Sequence, residues 1–190
     1  MSVGARDVRE ILTTFPDALL EAPRWWVALS GGADSVALLY ALAAYRDASS
    51  APPLHAIHVN HGLHAAAGEW SDLCQRHADR LSIPLHINVC NIEPSGRGVE
   101  ADARRERYRA FESVLAEGDI LFTGHHADDM VETVLLRLLR GAGPRGLSGI
   151  PQERACGAGR IFRPLLNTTS DTLRSAVEAA GLEYVIDPSN

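Results

Sequence analysis

Lysine is absent from this sequence, and all 18 of its basic side chains are arginine. Two chemistries are thereby excluded: a P-loop lysine on nucleotide phosphates and a lysine Schiff base. Cysteine is scarce as well. Cys74, Cys90 and Cys156 are scattered and none forms a C-x-x-C pair, which argues against a disulfide framework and against a zinc or iron–sulfur centre. The most apolar stretch, Ser35 to Tyr45, is too short to span a membrane. Met1 to Glu10 mixes arginines with Asp7 and Glu10 and lacks the apolar core of a signal peptide. The expectation is a cytoplasmic protein without a membrane partner. Aromatics make up only 6% of the chain, and the adjacent Trp25 and Trp26 read as packing residues rather than base-stacking platforms.

The net charge of −6 does not suit a general nucleic-acid binder. The distribution is uneven, however: from Arg137 to Arg163 there are six arginines and one acid, Glu153. A chain of 190 residues suits one domain with a sizeable core. Strand-like and helix-like segments alternate along it. Residues 4 to 21 have helical spacing, Trp25 to Leu29 is a short buried run, and Ala33 to Tyr45 is helical. Leu54 to Asn60 and Leu85 to Val89 read as strands, followed by a helix over 99–117 and the strand Asp119 to Thr123. Ala127 to Arg140 is a helix ended by Gly141 and Gly143. A Gly- and Arg-rich loop then runs to Arg160, before an extended piece at 161–165, a helix from Ser170 and a small strand at Tyr184 to Ile186. This alternation implies a doubly wound α/β fold with a mostly parallel, five-stranded sheet and helices on both faces. Ligands of such sheets bind beyond the carboxyl ends of the strands.

Ser30-Gly31-Gly32-Ala33-Asp34-Ser35 lies at such an end, between a buried strand and a helix N-terminus. The glycines let backbone N–H groups face an anion, the hydroxyls of Ser30 and Ser35 can donate to phosphate oxygens, and the helix dipole favours negative charge there. The spacing matches neither the dinucleotide fingerprint nor the Walker loop. An acid amid phosphate-binding groups repels the anion unless a divalent cation lies between them, so Asp34 reads as a magnesium ligand. The bland alternative is a capped βα turn with no ligand. Further on, His125, Asp129 and Glu132 fall at i, i+4 and i+7 and are expected on one helix face. Two carboxylates there suit a metal or the orientation of reacting groups, although acids in a first helical turn also serve as caps. His58 and His61 flank a strand end without a third ligand at matching spacing.

The Ser-Gly-Gly-Ala-Asp-Ser loop resembles that of the N-type ATP pyrophosphatases, which split ATP between its α and β phosphates. The run His125-His126-Ala127-Asp128-Asp129 through Glu132-Thr133 into Leu139-Arg140-Gly141, and the Gly146-Leu147 turn, is similar to the tRNA(Ile)-lysidine synthetase family. In the same order come His58 to Leu63, Glu100 with Ala103-Arg104 and Arg107-Tyr108, Arg163-Pro164-Leu165-Leu166, and Asp187 to Asn190. This resemblance makes residues 1–190 a single pyrophosphatase domain of the adenine nucleotide alpha hydrolase type. Residues 22–190 match the family core, and the family's C-terminal domains are absent from this chain.

The resemblance implies an ATP- and Mg2+-dependent ligase acting on the anticodon loop of isoleucine tRNA. It adenylates the 2-carbonyl oxygen of the wobble cytidine, and free L-lysine then displaces AMP. It further implies that Ser30, Gly31, Gly32, Ala33 and Ser35 hold the pyrophosphate portion and that Asp34 coordinates magnesium. Asp129 and Glu132 bind the metal or the incoming amine, with Asp129 as the second metal ligand. His125 contacts nucleotide or base, and Arg104 either clamps phosphate or forms a surface ion pair with Glu100. His64 stands where the family usually has arginine. Two other functions fit the same loop: a thiolating tRNA modifier, which needs a cysteine pair or cluster, and a non-catalytic adenine-nucleotide binder, which has no need of three acids.

Overall fold

The computed structural model describes residues 7–12, 15–62, 67–90, 95–96, 98–141, 143 and 148–186. His64, the Gly146-Leu147 turn and Asp187 to Asn190 lie outside these residues. Six strands form one sheet in the order β3-β2-β1-β4-β6-β5. β1 (Trp25–Ala28), β2 (Leu54–Asn60), β3 (Leu85–Val89), β4 (Ile120–Phe122) and β6 (Gly159–Phe162) run parallel. The doubly wound fold is as the alternating pattern implies. The sheet has six strands where five are expected: the Gly- and Arg-rich loop contains β5 (Glu153–Cys156), antiparallel to β6 through a Gly157 turn with φ 56°. Its polar, exposed sequence carries no strand periodicity, so pairing with β6 alone makes it a strand.

Side-chain alternation assigns the two faces. Trp25, Val27, Leu54, Ala56, Ile120, Phe122 and Phe162 enter one core, with α2 (Ala33–Ala48) and α6 (Ser170–Ala179) packed over it. Trp26, Ile57, Leu121 and Ile161 enter the other, under Ala110 and Phe111 of α4 (Val99–Val114). Both tryptophans are packing residues. The ring N–H of Trp25 donates to the Leu19 carbonyl at 2.7 Å, and that of Trp26 to the buried Asp119 at 3.1 Å. A continuous leading helix is not formed. Val8–Glu10 makes one 3-10 turn, and α1 (Asp17–Leu20) restarts after Pro16, whose missing N–H and fixed φ suit a helix start and not an interior.

The chain leaves β1 toward β2 and β3, with α3 (Ala67–Arg80) between them, then crosses back to β4 on the other side of β1. The switch point therefore lies between β1 and β4, where crossovers diverge and a crevice opens at the strands' carboxyl ends. α5 (Ala127–Leu139) follows β4 and stands at this crevice. Among the described residues no helix is long and apolar enough to cross a membrane.

Candidate nucleotide site

Gly32 is the N-cap of α2, so the turn from β1 is only a few residues long. Ser35 shapes it from within. Its hydroxyl accepts from the backbone N–H of Ser30 (3.1 Å) and of Gly31 (3.2 Å), and donates to the Gly32 carbonyl (2.9 Å). Ser35 is 6% exposed, whereas Ser30 lies on the surface with its hydroxyl 3.0 Å from that of Ser35. In this arrangement the Ser35 proton is committed to the protein and Ser30 faces outward. Gly31 has φ 92°, and a Cβ there would meet Val185 Cγ2 at 3.3 Å and Cys74 Sγ at 3.5 Å. Val185 in turn donates its N–H to the Gly31 carbonyl at 2.9 Å, and Gly32 and Val185 form a parallel bridge. The small strand expected at the chain's end is this strap on the loop.

The second wall comes from the β4–α5 connection. Gly124 sits against the backbone of the first loop: a Cβ would lie 3.2 Å from the Asp34 carbonyl carbon and 3.3 Å from the Ser35 nitrogen. Only glycine permits that approach. His126 then takes an extended conformation as N-cap of α5, and its N–H donates to Asp129 Oδ2 at 2.8 Å. His125, Asp129 and Glu132 consequently do not share one helix face, because His125 precedes the helix. Its Nδ1 lies 2.9 Å from Thr123 Oγ1. Burial, with the nearby Arg163 adding, pushes its pKa down to about 4, so the ring is neutral at pH 7. Glu132 is exposed. Asp128 Oδ2 lies 3.5 Å from His126 Nδ1 and accepts the N–H of Ser170 at 2.8 Å, which ties α5 to the start of α6.

Asp34 and Asp129 come from the first turns of α2 and α5 and meet at one atom: each has its Oδ2 3.6 Å from His126 Nε2. The Asp34 carboxylate, with Asp129 and Asp128 behind it, raises the pKa of His126 above the usual histidine value against the cost of burying the cation. Asp34 Oδ1 is buried without a partner. Two hard carboxylates, with Asp34 Oδ1 lacking a partner, are the kind of oxygen donors that Mg2+ takes. Among the described residues no three His, Cys, Asp or Glu side chains form a complete protein-built metal site. An ion here would be held chiefly by phosphate oxygens and water, the usual manner for Mg2+.

Across the crevice the charge reverses. Arg104 makes no ion pair with Glu100; its guanidinium lies 5.1 Å over the Tyr108 ring and donates to the Tyr108 hydroxyl at 3.3 Å. Arg154 lies 4.7 Å from the same ring. Arg163, just past β6, is 2% exposed and donates to the Pro151 carbonyl at 2.7 Å.

Three residues of this site escape sequence reasoning: His126, Gly124 and Arg163. The His-His doublet is a usable signal for the first, and the Gly before it for the second. Nothing in the sequence announces that Arg163 is buried. Asn60 has a structural task. Its amide donates to the Ala67 carbonyl (3.1 Å) and Ser71 Oγ (3.0 Å) and accepts from Gly62 N (2.9 Å), fixing the turn that bears His61.

A tRNA(Ile)-lysidine synthase of Pseudomonas putida is 49% identical over 171 residues, which is 90% of this chain and 40% of that protein. A tRNA(Ile)-lysidine synthase of Pseudomonas fluorescens is 47% identical over 171 residues, 90% of this chain and 38% of its own length. The chain thus spans about 40% of the length of these curated relatives. Among solved structures, a U34-tRNA thiolase from Methanococcus maripaludis with its [4Fe-4S] cluster superimposes with TM-score 0.73 at 21% identity, covering 96% of this chain and 65% of that one. That likeness shows a shared fold. The family model for the PP-loop domain matches residues 4–190, and the chain accordingly belongs to the PP-loop domain family.

Proposed function

We propose that this chain is the catalytic domain of a ligase that forms lysidine in isoleucine tRNA. One observation carries the chemistry: Asp34 and Asp129 converge on a single point at the mouth of a glycine-rich, hydroxyl-lined loop. Such a site holds a polyphosphate and balances its charge. The relatives named as tRNA(Ile)-lysidine synthases, at 49% and 47% identity, supply the substrate.

ATP seats its phosphates at the N-terminus of α2, with Ser30 donating from the rim. Asp34 and Asp129 would hold Mg2+, which would screen the repulsion between phosphate oxygens and an approaching nucleophile. The wobble cytidine of the anticodon loop enters the crevice between β1 and β4. Its 2-carbonyl oxygen, a poor leaving group by itself, attacks the α-phosphorus and expels pyrophosphate; the amine of lysine then attacks C2, and the oxygen departs with AMP. Glu132, exposed at the rim of α5, and Asp129 receive the ammonium end of free L-lysine. His125, held neutral by burial, is placed to contact the nucleotide or the base.

The thiolating alternative requires cysteines that meet. Here Cys74 belongs to the core under α2, whereas Cys90 and Cys156 lie on the other face, at opposite edges of the sheet: Cys90 follows β3 and Cys156 ends β5. Full-length protein incubated with isoleucine tRNA, ATP and labelled lysine should place lysine on the tRNA and release AMP and pyrophosphate, and Asp34→Ala should abolish both. ATP binding without pyrophosphate release, or lysine-independent modification of the tRNA, would displace this reading.

A further inference from the structure

Among the described residues Arg163 is a cation without a counter-ion. It is 2% exposed, and among the same residues its buried Nε–H has no acceptor. The charged or phenolic groups acting on it are Tyr108, Arg154 and Arg104, none of them a carboxylate. A guanidinium does not neutralise by losing its proton. Burying one beside two more arginines is strongly unfavourable without a counter-ion, as is removing one partner from a buried ion pair. The arrangement makes physical sense if the counter-ion arrives with a ligand.

Position narrows which ligand. Phe162 pairs with Phe122, so Arg163 stands beside Thr123 at the carboxyl end of the sheet, one strand beyond β4 and two beyond the nucleotide loop. Its side chain follows Ile161 toward the α4 face, where Tyr108 lies. His125 lies between, close enough for Arg163 to depress its protonation. The crevice is therefore bipolar. Carboxylates stand at its β1–α5 end and guanidiniums at its β6–α4 end, with a neutral imidazole in the middle.

Resting on the ligase reading above, we propose that Arg163, supported by Arg104, is the oxyanion subsite that receives the α-carboxylate of the amino-acid substrate. A zwitterion whose side-chain amine lies toward Asp129 and Glu132 then places its carboxylate at the guanidiniums, and its orientation is fixed by charge alone. The planar fork of arginine suits a carboxylate held through two oxygens.

The test compares L-lysine with cadaverine, which keeps both amines and lacks the carboxylate, using full-length protein, isoleucine tRNA and ATP. The wild type should use lysine about tenfold to hundredfold more efficiently than cadaverine, the loss expected for a charged hydrogen-bonded contact. Arg163→Gln should raise the KM for lysine by a similar factor while leaving the KM values for cadaverine and ATP within about twofold. A wild type that uses cadaverine as well as lysine overturns the proposal even if the variant does not fold. A variant that raises the KM for ATP with an unchanged lysine-to-cadaverine ratio assigns the subsite to a phosphate and overturns it too. Failure to adenylate tRNA in a lysine-free reaction would strike the ligase reading itself, and this inference with it.

Discussion

Replacing Ser35 with alanine removes one oxygen and four loop contacts together. The hydroxyl accepts from Ser30 N and Gly31 N, donates to Gly32 O and meets the Ser30 hydroxyl. Ser30 is exposed and water can replace what it loses, but Gly31 is buried. A net hydrogen bond contributes about 1 kcal/mol, and a buried amide left without an acceptor costs about 1–3 kcal/mol. Ser35→Ala should therefore destabilise the domain by about 3 kcal/mol. For a chain of this size that is a fall of roughly 10 °C in Tm. Ser30→Ala should cost less than about 1 kcal/mol, because its oxygen is solvated, yet weaken ATP binding directly. Urea and thermal unfolding of both variants, beside ATP titration, separate the two roles. If Ser35→Ala unfolds within about 0.5 kcal/mol of the wild type while losing ATP, its hydroxyl is a phosphate ligand and the scaffold argument is wrong.

Two further perturbations probe the second wall. Gly124→Ala forces a Cβ to within 3.2 Å of the Asp34 backbone, so the loops must part; ATP affinity should fall about tenfold or more, and unaltered affinity by calorimetry would show that they are free to separate. His125, whose pKa drops to about 4 on folding, binds its proton more tightly in the unfolded chain. Its contribution is complete above about pH 6.5, declines as pH falls through the unfolded value and is exhausted near pH 4. The whole difference is about 3 kcal/mol. Urea midpoints of wild type and His125→Asn between pH 7 and 4 should converge as pH drops; parallel curves would mean that His125 titrates normally.

Much of this architecture can be read along the chain because its signals are local. Short β-branched and aromatic runs bounded by Gly and Pro mark β1, β2 and β4, and the Ala- and Leu-rich stretch after Asp34 marks α2. The turn chemistry of Ser30 to Ser35 is equally local. What is not legible depends on partners distant in sequence. β5 has no periodicity of its own and exists through β6. Pro16 interrupts a helical spacing that composition alone extends across it. His125 leaves the helix because Asp129 caps at His126, and a capping choice between Asp128 and Asp129 is settled by Ser170, forty-two residues away. The burial of Arg163 is hidden for the same reason: only the sheet order brings Pro151 and Tyr108 around it.

The strap from Val185 to Gly31 also sets a ruler within the chain. α6 ends at Ala179, Gly181 turns with φ 63°, Leu182 is buried with its N–H on the Val177 carbonyl, and His77 holds the Glu183 carbonyl at 2.9 Å. Each of these anchors fixes a residue count between the end of α6 and the grip on the nucleotide loop. A single insertion or deletion there would swing Val185 out of phase and release the glycine it holds. The segment that looks like an ordinary exit from the last helix is therefore among the places least tolerant of a change in length.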